Sequence, residues 1–237
     1  MAISTNPLAW LRSVQPRRAI ALLLLLLPLT VGAQTVRDLW LSMPPSLAPY
    51  LSTSLRTQCL DFYDMHTDAQ TDNALKGKSR IDTLTSTFLA ATLSKAHTLQ
   101  MKLLPASGSG SGSSLGSGSG SSSSLSSCDS VLCVVRSWDG PKRDSEVQLF
   151  DRQWKPLQAP LTFSADSFVC RPDTMSEERF SRLVALLDPI MFSVSLSPAE
   201  NVLLVKLSPV VPNPEDEKAI EQILVQRKLK WDGKTFK

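Results

Sequence analysis

Apolar and polar residues alternate with a period of two through much of this chain. Leu99, Met101 and Leu103 alternate with Thr98, Gln100 and Lys102, and Val147 and Leu149 with Glu146 and Gln148. Such alternation predicts strands with one buried face. Strands are expected near residues 84–93, 97–104, 131–138, 145–150, 191–197, 201–208 and 227–237, with Asp139-Gly140 as a turn between the third and fourth. Three stretches carry helical spacing instead. Residues 46–60 place Leu47, Tyr50, Leu51, Leu55 and Cys59 three and four apart, after Pro44 and Pro45. A second helix opens with Thr174 as cap and Glu177 answering it, buries Phe180, Leu183, Val184 and Leu187, and stops at Asp188-Pro189. A third begins at Asn213-Pro214, with Glu215, Asp216 and Glu217 at the positive end of its dipole.

The pattern occurs twice. LSKAHTLQMKLLP (93–105) aligns with LSPAENVLLVKLSP (196–209) when Glu200 is left unmatched, and seven of 13 paired positions are then identical. A second echo follows in the same order, Trp138-Asp139-Gly140 against Trp231-Asp232-Gly233. A helix precedes each copy. The expectation is an α+β fold built as a tandem, degenerate repeat of a helix plus an antiparallel β-meander, in outline similar to β-lactamase-inhibitor-like architectures. One such unit would bury its face poorly alone, so two should share a sheet or a core.

The first 33 residues stand apart from that pattern. Arg12, Arg17 and Arg18 precede an apolar run from Ala19 to Leu29, and Val31-Gly32-Ala33 supplies small residues before Gln34. This is the layout of a signal peptide cleaved after Ala33. The run is shorter than the roughly 20 residues that span a bilayer, so no transmembrane segment is expected after cleavage. The stretch holds three of the 25 basic residues and none of the 22 acidic ones, so the remainder is balanced in charge. That balance argues against nucleic acid, which needs a basic face. Export, to the periplasm or beyond, permits disulfides among Cys59, Cys128, Cys133 and Cys170, and their spacing leaves the pairing open. Residues 106–127 are nearly pure Ser and Gly and read as a disordered insert between strands. The chain thus divides into 1–33, a first unit over 34–158 holding the insert, and a shorter second unit over 159–237.

Four stretches carry a family resemblance: VRDLWLSMPPSLAPYLSTSLRTQCLDF (36–62), KGKSRIDTLTSTFLAATLS (76–94), VVRSWDGPKRDSEVQLFDRQWKPL (134–157) and LLDPIMFSVSLSP (186–198). They resemble the exported Bacteroidales proteins known as domain of unknown function 3256. The resemblance spans nearly all of the chain after Ala33 and implies no activity and no site residue. The insert does not resemble a shared family feature and is expected to be dispensable.

Candidate chemistry is sparse. Asp61, Asp64, His66, Asp68 and Asp72 make the most polar cluster; Asp64, His66 and Asp68 would share one face of a strand and present carboxylates with an imidazole, a donor set for a divalent cation. The spacing of a calcium loop is not met, and a solvated loop is the simpler reading. A nucleophile–histidine arrangement has only His66 and His97 to draw on, and His97 reads as a turn residue matching Asn201. Cys59 and Cys133 fall on buried faces. Trp40, Trp138, Trp154 and Trp231 offer aromatic surface, though the two Trp-Asp-Gly sites fit turns better. Asp82-Thr83-Leu84, Asp129-Ser130-Val131 and Asp173-Thr174-Met175 resemble a short O-glycosylation signal. No catalytic, cofactor-binding or metal-ligating residue is assigned. The expected role is a non-catalytic exported protein binding a protein, peptide or envelope component. A periplasmic hydrolase of glycans or peptides using folded-together carboxylates is the alternative.

Overall fold

The computed structural model describes residues 34–107, 130–211 and 213–237. The expected signal peptide, Cys128 and the Ser/Gly stretch beyond Ser107 lie outside the described residues. The alternating stretches form strands β1 (Thr71–Asp72), β2 (Lys78–Leu84), β3 (Phe88–Ser94), β4 (His97–Pro105), β5 (Ser130–Asp139), β6 (Arg143–Phe150), β7 (Phe192–Leu196), β8 (Val202–Leu207) and β9 (Arg227–Lys230). Strands β1 to β6 make one antiparallel sheet in chain order, and β7 to β9 make a second. Helices α1 (Val36–Ser42), α2 (Thr53–Asp64), α3 (Glu177–Ala185) and α4 (Pro214–Glu221) complete an α+β fold.

Two hydrophobic cores lie on opposite faces of the large sheet. Leu89, Ala91 and Leu93 of β3, Leu99 and Met101 of β4, and Leu132 and Val134 of β5 pack with Leu39, Trp40 and Leu60 of α1 and α2. The alternate residues Phe88, Leu104, Val131, Cys133 and Val135 point the other way. They pack on Val194, Leu196, Leu203, Val205 and Leu207 of the small sheet, with Leu183 of α3 and Ile220 of α4. A strand covered on both faces has no polar side to keep, which is why β5 reads VLCVV rather than alternating.

The two meanders share topology and, in part, register. Strand β4 lies between β3 and β5 as β8 lies between β7 and β9. Leu99 pairs with Arg136 and Met101 with Val134, as Leu203 pairs with Leu229 and Val205 with Arg227. The leading strands differ. Leu196 pairs with Leu203, whereas Leu99 pairs with Ala91: the β3 register shifts by one residue between Thr92 and Ser94, and the two hairpin turns differ in length. The match of Leu93 to Leu196 is therefore two residues out of register in space. The two copies also touch. Lys102 faces the second core, and its ammonium donates to the carbonyls of Ser197 (2.6 Å), Pro198 (3.0 Å) and Glu200 (2.7 Å). One lysine of the first hairpin thus uses all three donors on the turn of the second.

Several expectations are corrected. The helix expected over 46–60 starts at Thr53, capped by the Ser52 hydroxyl, and Pro44 to Leu51 form turns. Helix α1 escaped the periodicity reading; Thr35 and Asp38 form a full capping box there. The strand expected over 84–93 is two, since Thr85 to Thr87 turn between β2 and β3. The cap of α3 is Ser176, two residues after Thr174. Asn213 caps α4 as expected, with Pro214 in its first turn.

Candidate functional site

A sheet edge exposes backbone donors and acceptors, and most edges of this fold are closed. The outer edge of β7 is closed by side chains of the large sheet: the N–H groups of Phe192, Val194 and Leu196 donate to Asp144, Ser145 and Gln100. The β6 edge is covered by residues 156–161, with Leu157 and Leu161 donating to Leu149 and Val147. At β9, Lys230 exchanges backbone bonds with Lys237, and Arg227, Lys228 and Lys230 charge the rest. Strand β2 differs. Its partner β1 pairs only with Lys78 and Ser79.

The alternation of antiparallel bonds says what β2 then presents. Asn73 N–H donates to Gly77 at the hairpin turn, so the Ser79 peptide faces β1 and the Arg80 peptide faces β3. The next residue, Ile81, directs its N–H and C=O outward where β1 has ended. The register shifts between Ile81 and Thr83, and Leu84 is closed again, donating to the Tyr63 hydroxyl at 3.1 Å. Between these points lies a cavity of about 470 Å³. Cys59, Phe62 and Tyr63 of α2, the segment His66–Ala69, and Ser79–Asp82 of β2 line it.

The hairpin bordering the cleft is held by one amide. Asn73 Oδ1 accepts from the backbone of Leu75 and Gly77, both at 3.0 Å. Its Nδ2 donates to Leu93 O at 2.8 Å and Ser79 Oγ at 3.0 Å. Burial raises the Cys59 thiol above its usual value, which keeps it protonated and a poor nucleophile. Cys133 is raised further for the same reason, and Cys170 is exposed; none of these three cysteines is bonded to another.

The polar cluster does not assemble as a strand face. Asp61 and Asp64 ride on α2, and the Arg37 hydrogen bond holds the Asp64 carboxyl below its usual range. His66 has φ 51° beyond the helix, Asp68 sits on the cleft rim, and Asp72 pairs with Lys78 at 2.6 Å. Among the described residues no three His, Cys, Asp or Glu side chains gather as a metal site, and no helix is long and apolar enough to cross a membrane.

His97 is not a turn residue. It opens β4, is buried, and stacks on Trp138 with ring centroids 5.2 Å apart and planes 10° from parallel. Its Nδ1 meets the Tyr50 hydroxyl, while Nε2 is buried with no partner. Burial, then the Arg136 charge, lowers its pKa, and burial pushes the Tyr50 phenol up to about 12. Trp40 is buried and donates to Arg56 O, Trp154 to Ser42 Oγ, and Trp231 to Pro105 O. These three indoles are therefore structural. Trp138 keeps 39% of its surface.

The family model described as Protein of unknown function (DUF3256) matches residues 28–111 and 123–236. No curated protein matches the sequence. Among solved structures, that of a domain of an uncharacterized protein from Porphyromonas gingivalis W83 is similar. It shares 23% identity and a TM-score of 0.62, with 85% of this chain and 98% of that one covered. The likeness is one of fold.

Proposed function

The chain belongs to the family of proteins of unknown function DUF3256, and we propose that it is an exported, non-catalytic binding protein of the cell envelope that takes an extended polypeptide segment against the open edge of β2. The observation that carries this reading is the outward peptide group of Ile81 beside a cavity of about 470 Å³. An added antiparallel strand satisfies such a group through its own backbone, and the neighbouring cavity selects the side chains that enter it. Phe62 and Tyr63 supply apolar wall there, and Thr67, Asp68 and Asp82 supply polar rim. Export rests on the signal-peptide layout before Gln34. The hydrolase alternative needs convergent buried carboxylates, and no Asp or Glu is among the buried polar residues described.

A photoreactive benzoylphenylalanine at Thr67 tests the reading in cells that export the protein. A discrete protein adduct is expected at Thr67 and not at the exposed Lys234. The adduct should vanish in Ala69→Arg, which fills the cleft, and the amide of Ile81 should exchange more slowly in the purified adduct than in the free protein. Equal labelling from both positions, or unchanged exchange at Ile81, would refute it.

A further inference from the structure

The large sheet is only partly covered on the face toward β7–β9. That face of β4 to β6, and of β3 at Phe88 and Ala90, is covered by the small sheet, but on β2 and the Thr92 end of β3 the same face carries Lys78, Arg80, Asp82 and Thr92, all exposed or half-buried. Their neighbours Ser79, Ile81 and Ala91 are buried on the opposite face. The uncovered part holds a groove of about 300 Å³, lined by Gln70, Lys76, Gly77, Lys78, Arg80, Thr92, Ser94 and Lys95.

The charge in this groove is one-sided. Four cations line it and no carboxylate does. Two are already answered from outside: Lys78 by Asp72 at 2.6 Å and Arg80 by Asp82 at 2.7 Å. Thr92 Oγ donates to the other oxygen of Asp82 at 2.7 Å, so that carboxylate, which borders the groove without lining it, is committed to two partners in the groove wall. Lys76 and Lys95 have no ion pair among the described residues. They stand on different turns. Lys76 has φ 59° in the β1–β2 hairpin, and Lys95 lies in the β3–β4 turn. The four bonds of Asn73 fix the first of these turns to the second strand pair through Leu93. Gly77 forms part of the wall, and a Cβ there would stand 3.2 Å from the Asn73 amide, so the wall stays low.

We infer that this groove binds the phosphate group of a phosphorylated sugar. Lysine is a compact, strongly hydrated charge that meets phosphate as a point cation rather than as a fork. Two unanswered ammonium groups on separate, fixed turns match the dianion of a phosphate monoester. Gln70 and Ser94 add neutral donors and acceptors of the kind that sugar hydroxyls use, and Thr92 Oγ, whose proton goes to Asp82, adds an acceptor. The volume is at the lower end of small-ligand pockets and exceeds what an ion alone needs. The groove lies on the sheet face and the strand-docking edge beside α2; they share Arg80, but Lys76 and Lys95 line the groove alone, so substitutions there test this assignment separately.

Calorimetric titration of the mature protein with glucose 6-phosphate at low ionic strength tests the inference. Saturable binding of one ligand per chain is expected, with no heat from glucose. Lys95→Glu and the double variant Lys76→Glu/Lys95→Glu should weaken it about tenfold or more, and added salt should weaken it as well. Lys95→Gln, which removes charge without reversing it, should fall between. Far-ultraviolet circular dichroism of each variant should match the parent, since both lysines are exposed. Three results would overturn it: no saturation at about 10 mM ligand, Lys95→Glu binding as well as the parent, or inorganic phosphate binding as tightly as the sugar ester.

Discussion

His97 shows how one side chain can change its meaning once its neighbours are in place. It faces the Tyr50 hydroxyl, the Trp138 ring and the Arg136 guanidinium, which Glu146 pairs at 2.7 Å. Burial first, and the Arg136 charge second, hold its pKa below the ordinary value of about 6.5. The folded state therefore keeps the imidazole neutral where the unfolded chain protonates it. Its contribution to stability is complete above about pH 6.5 and is lost as the pH falls through the lower, folded value. Thermal melts should show the parent losing more stability between pH 7 and pH 5 than His97→Asn, with the two curves parallel above pH 7. Curves that stay parallel down to pH 5 would remove His97 from the account. The sequence could not supply this environment. His97 and Asn201 occupy matching positions, but Tyr50 lies 47 residues before His97 and reaches it only through the folding of residues 44–51.

At the scale of elements, the repeated Trp-Asp-Gly turns look alike in sequence and differ in backbone. Gly233 has φ +97°, and a Cβ there would come within 1.9 Å of Ser107 Oγ. Gly140 has no positive φ, and the nearest atom to its Cβ would be Lys142 O at 3.7 Å. Gly140→Ala should thus be neutral or stabilise by up to about 1 kcal/mol through the unfolded chain. Gly233→Ala should cost about 1–3 kcal/mol from strain and displaced packing at Ser107. Denaturant melts giving both variants the same stability would show that the two turns are equivalent after all. What was legible in the sequence follows the same division. Strands β4 and β6 to β8 and helix α4 were readable because period, turn residues and caps agree there, and β5 as a continuous apolar run before a turn. Helix α1 and strand β2 were not. Helix α1 spans seven residues, too short for periodicity to register, and its capping box was the signal to use. In β2, Lys-Ser-Arg-Ile-Asp alternates polar with polar because one of its faces is uncovered and its edge is open. The same cause hid both the cleft and the groove, since an uncovered strand lacks the apolar signature by which strands are found.

At the scale of the whole molecule, the Ser/Gly stretch interrupts a sheet rather than dividing the chain. Pro105 and Ser130, which flank it, are direct partners across the β4–β5 pair. The register of the two strands runs on without a shift to His97 and Trp138. The family model also passes over residues 112–122, matching on either side. A connection that makes no contacts with the fold would act on stability only through the entropy of closing a loop, which changes by about 0.6 kcal/mol for each doubling of length. Deleting residues 112–122 roughly halves the connection between Pro105 and Ser130, so it should stabilise the protein by about 0.6 kcal/mol or less. For a chain of this size that is a rise in Tm of about 1–2 °C. The deletion spares Ser107, whose N–H donates to Gly233 O at 3.0 Å and whose hydroxyl donates to Asp232 O at 3.3 Å, so the seat of the C-terminal turn is retained. Scanning calorimetry of the deletion variant against the parent reads the outcome directly. A fall in Tm of about 5 °C or more would mean that the stretch contributes contacts to the fold, because loop entropy alone has the opposite sign and a smaller size.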